Sequence, residues 1–371
     1  MATTAAATSA TTTPKKAMTP KPNVQDSMKS TWRTSPKENW SLAHHIIDFF
    51  NAYPVDIDKP VPVHDKSDPT PHMSDIAVVI WVLFYALIPV SIHQAWLSVT
   101  GYESIGRFAL FNLYFTAFNF TVIREVHVLR RVGHMTGFLD GDEHERDGIP
   151  DVGVAKVAAA LYKTTGSRIA LSILVSYDPA EPPTEVMSNP KWWAWLFLQI
   201  GLYSVVLDFW FYWYHRAMHD VSFLWRYHRT HHLTKHPNPL LSAYADHEQE
   251  FFDMVGVPLM TWATLCVMGI SMGFYEWWIC HQFIAFTEVF GHSGLRLYGA
   301  PPSTFSWLLR ATGTELVVED HDMHHRKGYR KTHNYGKQTG IWDILFGTRG
   351  DRIEMAKDNV DRGQAIYIPI F

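Results

Sequence analysis

Cysteine is nearly absent: Cys266 and Cys280 are the only 2 thiols in 371 residues. Both sit in apolar stretches without metal-like spacing, so buried free thiols are expected and an oxidised, disulfide-stapled scaffold is not. The chain has no Gly-x-Gly-x-x-Gly dinucleotide pattern and no Cys-x-x-Cys-His haem-attachment pattern. Its net charge of -4 is close to neutral, and no long basic stripe points to nucleic acid. No apolar run follows the first residues, so no cleaved signal peptide is expected. The most informative absence is local. No Asp, Glu, Lys or Arg occurs from Ile76 to Tyr102, nor from Met254 to Tyr275. A charge-free apolar run of roughly 20 residues is long enough to cross a bilayer as a helix, whereas buried helices of soluble proteins are usually shorter.

The remaining stretches sort by composition. Residues 1–40 are rich in Thr, Ala, Ser, Pro and Lys without apolar periodicity, and read as a disordered tail. Residues 41–75, together with Trp40 before them, hold an amphipathic segment, "WSLAHHIIDFFNAY" (Trp40–Tyr53), suited to a membrane surface, and then a proline-punctuated linker. Residues 76–190 carry membrane candidates at Ile76–Val99 and about Ile105–His127, a loop over Gly133–Asp151, and a weaker run, Val154–Tyr177. Lys163 and Arg168 interrupt that last run, so it is expected at the interface. Residues 191–350 hold Trp192–Tyr214, Phe251–Gly269 and Phe274–His292, and 351–371 form a C-terminal tail. The expected fold is an all-α integral membrane protein with about four transmembrane helices, interfacial helices and a histidine-rich helical cap holding a di-metal site. Arg216, Arg226, Arg229 and Lys235 accompany one histidine segment, and Arg326, Lys327, Arg330 and Lys331 the other. Lys and Arg collect on cytoplasmic flanks, so both segments and both termini are expected in the cytosol.

The histidines come in clusters. "HRAMH" places His215 and His219 at i, i+4; "HRTHH" places His228, His231 and His232 at i, i+3, i+4; "HDMHH" repeats that spacing with His321, His324 and His325. Residues three and four apart share a helix face, so their rings can converge on one point. Neutral imidazole suits Fe, Zn, Cu and Ni. Eight such ligands exceed one ordinary site, so two metals are expected. A zincin would need a glutamate inside its histidine pair, where this chain has Arg216. A soluble di-iron bundle would need Glu-x-x-His pairs, which these clusters lack.

All-imidazole ligation leaves metal charge uncompensated, so nearby acids are expected to hold ring N–H groups from outside the ligand set. Asp208, Asp220, Asp320, Asp322 and Glu319 are the candidates. Asp208 leads, because a carboxylate within an apolar helix, seven residues before His215, needs a partner.

The run "HRAMH…HRTHH…HDMHH" resembles the fatty acid hydroxylase superfamily, which includes sterol desaturases, sterol C4-methyl oxidases and sphingolipid hydroxylases. The short interval Asp220–Tyr227 between the first two clusters separates it from acyl-CoA desaturases. "HSG" at His292, "HEQE" after the second cluster and "NYGKQTGIWDILFGT" agree with it. The resemblance covers about Trp192 to Thr348. It implies an endoplasmic-reticulum, multi-pass enzyme with two iron ions, or zinc on isolation, that uses O2. It carries the metal role onto His215, His219, His228, His231, His232, His321, His324 and His325, and adds His292. Some members have a second histidine where this chain has Glu288. His247 opens a segment that reads His-Pro-x-Glu in several members; here Glu248 replaces the proline and Glu250 keeps the acid. Glu288 and Glu250 therefore join Asp208 as candidates around the metals.

With no cofactor fingerprint in this chain, electrons from NAD(P)H must come through partner proteins; the resemblance implies cytochrome b5 and its reductase. Hydroxylation of a lipid C–H bond, fatty acyl or sterol, is the leading reading. C5-type sterol desaturation and sterol C4-methyl oxidation are alternatives. A catalytically inert sterol-binding or sensing membrane protein is the alternative from another class.

Overall fold

The charge-free run from Ile76 becomes a helix with a defined start and stop. Ser74 accepts the backbone N–H of Ala77 at one end, and Gly101, at φ 71°, ends it at the other. Glycine carries that left-handed turn without a Cβ penalty. This computed structural model describes residues 23–371. The helices in chain order are α1 (Leu42–Phe49), α2 (Asp75–Thr100), α3 (Arg107–Thr136), α4 (Val154–Ser176), α5 (Pro183–Met187), α6 (Pro190–Asp220) and α7 (Ser222–His228). Then follow α8 (His247–Phe251), α9 (Val257–Val267), α10 (Phe274–Gly291), α11 (Ser306–Ala311), α12 (Val318–Arg326) and α13 (Ile341–Leu345). A π-helical turn, Phe252–Gly256, joins α8 to α9. β1 (Thr70–Met73) pairs in parallel with β2 (Val360–Ile366) and ties the C-terminal segment to the start of α2. The fold is all-α apart from this pair.

Among the described residues, 3 helical stretches are long and apolar enough to cross a membrane: Asp75–Thr100, Pro190–Asp220 and His247–Val267. The other two expected spans, α3 and α10, are not among these three. α10 is buried along its whole length from Phe274 to Phe290, so protein rather than lipid surrounds it. A helix apolar on every side is stable in either setting, which is why composition alone did not separate them. α3 is long but carries Arg107, Arg124, Glu125, Arg130 and Arg131.

α4 buries one face in the protein and leaves Tyr162 and Leu174 exposed on the other. It packs on α3 and against the α8–α9 junction, and Arg168 is buried there, donating to the Met254 carbonyl oxygen at 2.8 Å. On α2, Ile76, Ile80 and Ile92 are exposed. A row of exposed branched aliphatics suits hydrocarbon better than water.

The expectation of disorder over residues 1–40 falls partly on residues 1–22, which lie outside the described residues. Residues 23–40 are ordered. Trp32 is buried and its indole N–H donates to the Ile149 carbonyl at 3.1 Å, while Asp151 accepts the backbone N–H groups of Thr31 and Trp32. α1 is amphipathic as expected: Ile47 is buried, and Leu42 and Phe49 are exposed.

Candidate metal centre

Each histidine cluster lies where a helix ends. His215 and His219 share a face of the last turns of α6. His228 is the final residue of α7; the chain then turns, and His231 and His232 follow on a separate 3₁₀ turn, His231–Leu233. The second cluster is thus not one helical face, although its spacing suggested that. His321, His324 and His325 lie on α12, and His292 caps the C-terminus of α10.

These elements bring the nine histidines into two buried groups. One comprises His215, His219, His228, His232 and His324; the other His231, His292, His321 and His325. Within each group the ligand atoms lie within 4.8 Å of one another. Sequence neighbours divide between the groups: His231 from His232, and His324 from His325. Consecutive helical residues point about 100° apart, so an adjacent pair can serve two centres that a single face cannot.

The ring nitrogens test whether a metal fits. In the first group, Nε2 of His228 lies 3.0 Å from Nε2 of both His215 and His232, and Nε2 of His324 lies 3.1 Å from that of His232. In the second, Nε2 of His292 lies 3.2 Å from that of His231 and 3.1 Å from that of His321. Nε2 of His219 and of His325 is buried without a partner.

In five of the nine rings the opposite nitrogen is engaged elsewhere, while Nδ1 of His228, His231, His232 and His321 is buried without a partner. Nδ1 donates to backbone carbonyls in His215 (Tyr335, 2.9 Å), His219 (Arg330, 3.0 Å), His324 (His333, 2.7 Å), His325 (Thr234, 3.3 Å) and His292 (Glu288, 2.7 Å). A neutral imidazole that donates through Nδ1 leaves a lone pair on Nε2. Lone pairs facing one another at these distances repel unless a cation lies between them. Burial, reinforced by neighbouring rings, holds the imidazoles of His228, His231, His232, His321, His324 and His325 well below their ordinary pKa. They are therefore neutral, the form that binds metal. The residues fit two metal ions.

The acids behave differently from expectation. Asp208 does not hold a histidine. It accepts the backbone N–H groups of Lys337 (2.7 Å), Gln338 (2.9 Å) and Thr339 (3.1 Å), and the Thr339 hydroxyl at 2.7 Å. Asp343 accepts Tyr335 N–H at 2.8 Å and Gly336 N–H at 2.7 Å. Gly336 fits between the carboxylates because a Cβ there would lie 2.9 Å from Asp343 Oδ2 and 3.3 Å from Asp208 Oδ2.

Asp322 is taken by Arg146 and Arg326, Asp320 by Arg352, and Glu319 by the backbone N–H groups of residues 353–355. Asp220 is exposed beside Arg216. Glu288 Oε1 lies 3.6 Å from Nδ1 of His292, on the side away from the facing Nε2 atoms, and Glu288 pairs with Lys337. Glu250 is buried with Oε2 unpartnered. His247 is exposed and joins neither group.

Sequence reading missed the carbonyl acceptors at positions 330, 333 and 335, because a backbone oxygen has no sequence signature. It also missed Lys337, buried between Glu288 and Asp253. Its signal was present in "NYGKQTG", a lysine inside an otherwise glycine- and amide-rich loop.

A family model described as fatty acid hydroxylase matches residues 200–348, which contain all nine grouped histidines. The chain is 46% identical over 316 residues to the fatty acid hydroxylase vlmA of a Lecanicillium species, covering 83% of this chain and 86% of that one. It is 33% identical over 203 residues to the very-long-chain aldehyde decarbonylase GL1-11 of Oryza sativa, covering 50% and 70%. It is 31% identical over 179 residues to methylsterol monooxygenase 2-2 of Arabidopsis thaliana, covering 46% and 60%. No solved structure matches the chain.

Proposed function

This chain belongs to the fatty acid hydroxylase family, and on that premise we propose that it is a di-iron, O2-dependent lipid hydroxylase acting on a fatty acyl chain. The observation that carries this reading is the pair of buried, all-imidazole groups whose Nε2 atoms face one another at 3.0–3.2 Å. The ligands are the nine histidines so grouped; His247 is left out. Two iron ions, when bound, supply the redox chemistry that lets O2 react with an unactivated C–H bond. The balance is one C–H, one O2, two electrons and two protons giving one C–OH and one water.

The chain's own residues do the rest. Tyr335, Arg330 and His333 carbonyls fix ring tautomers, so Nε2 stays aprotic. Asp208 and Asp343 hold the loop that carries those carbonyls. Burial keeps bulk water from the site, which limits loss of the oxidant to side reactions. The fatty acyl substrate is favoured over a sterol because likeness to a fatty acid hydroxylase extends over 83% of the chain, against 46% for a methylsterol monooxygenase. Residues 191–350 form the catalytic domain, and residues 76–190 supply membrane and packing helices.

Electrons reach the site from NAD(P)H through separate proteins, cytochrome b5 and its reductase. The protein resides in the endoplasmic-reticulum membrane with its histidine groups toward the cytosol. The test is reconstitution in lipid nanodiscs with iron, cytochrome b5, its reductase and NADH, with products read by mass spectrometry. O2- and NADH-dependent hydroxylation of a fatty acyl chain is expected. A preparation with full iron content that oxidises no lipid would overturn the reading in favour of an inert lipid-binding protein.

A further inference from the structure

Three spaces share walls between the outer face of the protein and the second histidine group. The outermost is an apolar groove of about 300 Å³ bounded by α1, α3 and α4. Val122 and Leu161 line that groove and also line a small inner cavity of about 50 Å³. Glu288, on the inner cavity's wall, also lines the crevice that holds His292 and His321. α1 covers the outer mouth, with Ile46 and Phe50 lining the groove and Phe49 exposed.

Apolar side chains and six polar ones line the inner cavity, among them Arg168, Glu250 and Glu288. Arg168 is 4% exposed there; its Nε donates to the Met254 carbonyl, its Nη2 faces the Met254 sulfur at 2.9 Å, and it forms no ion pair with a carboxylate among the described residues. Glu250, also 4% exposed, lines the same cavity with Oε2 unpartnered. Lys337 engages Glu288 and Asp253 instead. A guanidinium buried without a carboxylate is costly, and its planar fork matches a carboxylate. A small cavity that shares walls with an apolar groove and holds a guanidinium outside any ion pair fits a chain with one carboxylate terminus.

Resting on the reading of the site as a lipid hydroxylase, we propose that a free, single-chain fatty acid enters beneath α1, passes between Val122 and Leu161, and seats its carboxylate on Arg168. Carbons near the carboxyl end then lie beside Glu288, next to His292 and His321. A flexible chain passes the Val122–Leu161 neck one methylene at a time. The rigid fused rings of a sterol lack that freedom. Oxidation should therefore fall on the carboxyl-proximal part of a fatty acid.

The experiment uses the reconstituted full chain with a saturated long-chain fatty acid, its methyl ester and a sterol as separate substrates. Metal content is measured on every preparation. The wild type should hydroxylate the free acid near its carboxyl end. Arg168→Gln should raise KM for the free acid by roughly 10–100-fold, as expected on losing a charge-assisted pair, and change KM for the methyl ester far less. Val122→Trp should lower kcat/KM for both chain substrates with metal content unchanged. Unaltered kinetics in both variants, oxidation at the methyl end, or turnover of the sterol alone would overturn this proposal while leaving a lipid hydroxylase standing.

A second measurement covers variants that fail to fold. A fatty acid carrying a photoreactive diazirine beside its carboxyl group should label the wild-type peptides containing Arg168 or Glu250, independently of turnover. Labelling confined to other segments would overturn the entry route. Absence of all lipid oxidation by iron-loaded wild type, with those two peptides labelled, would instead sink the hydroxylase reading and keep the binding site.

Discussion

His324 donates its Nδ1 proton to the carbonyl oxygen of His333 at 2.7 Å. Residues 330–335 make the same kind of contact with His215 and His219, so one loop orients three rings of the first group. The loop is itself held by two carboxylates, Asp208 from α6 and Asp343 from α13. Ring orientation in the metal centre therefore depends on acids that touch no histidine.

Asp208→Asn should leave insertion unchanged and loosen this loop. The amide nitrogen would face N–H donors, and lost charge-assisted hydrogen bonds cost about 1.5–3 kcal/mol. Displacing the carbonyls that orient metal ligands typically costs roughly 10–100-fold in metal affinity or activity. Thermal unfolding and metal analysis of the purified variant check both. Full metal content with wild-type turnover would show that the rings hold their orientation without the loop.

His231→Ala and His232→Ala should separate the two groups. The residues are adjacent, yet the first belongs with His292 and the second with His215. Each variant should retain about one of two metal ions and lose turnover, since a site that loses a ligand loses its reactive geometry. Both should remain in the membrane fraction, because apolar helices insert without the metal. Mass spectrometry under native conditions gives the metal count; two ions retained in either variant would contradict the division.

Lys337→Met should destabilise the protein strongly. The ammonium lies 3.3 Å from Asp253 Oδ2 and also pairs with Glu288, all three being buried or nearly so. Removing one partner of a buried pair costs about 3–5 kcal/mol, because the remaining charge is left uncompensated. Chemical denaturation in detergent measures it. A variant as stable as wild type would show that the two carboxylates are already neutral.

The proposed cytosolic placement of the histidine groups predicts an accessible residue 327. Lys327 is exposed just after α12, whereas much of the segment from Leu295 onward is packed into the fold. In sealed microsomes, Lys327→Cys should react with a membrane-impermeant maleimide before detergent is added. Cys280 is buried, so the unsubstituted protein controls for Cys266. Labelling only after permeabilisation would reverse the orientation.

The sequence by itself pointed to the chemistry of the candidate centre. Histidines at i, i+3 and i+4 near the ends of apolar runs announce metal ligation, because helical geometry puts such residues on one face whatever surrounds them. Apolar length likewise marked α2, α6 and the α8–α9 stretch as membrane candidates.

Only the tertiary structure decided the partition of nine histidines into five and four, the partner of Asp208, and the burial of α10 inside protein. The His215–Tyr335 and Asp208–Lys337 contacts join residues 120 and 129 positions apart. Sequence periodicity reports which residues share a face of one element. Which face meets which carbonyl is set by how the elements pack, and a backbone oxygen looks the same in every residue until a ring N–H is brought against it.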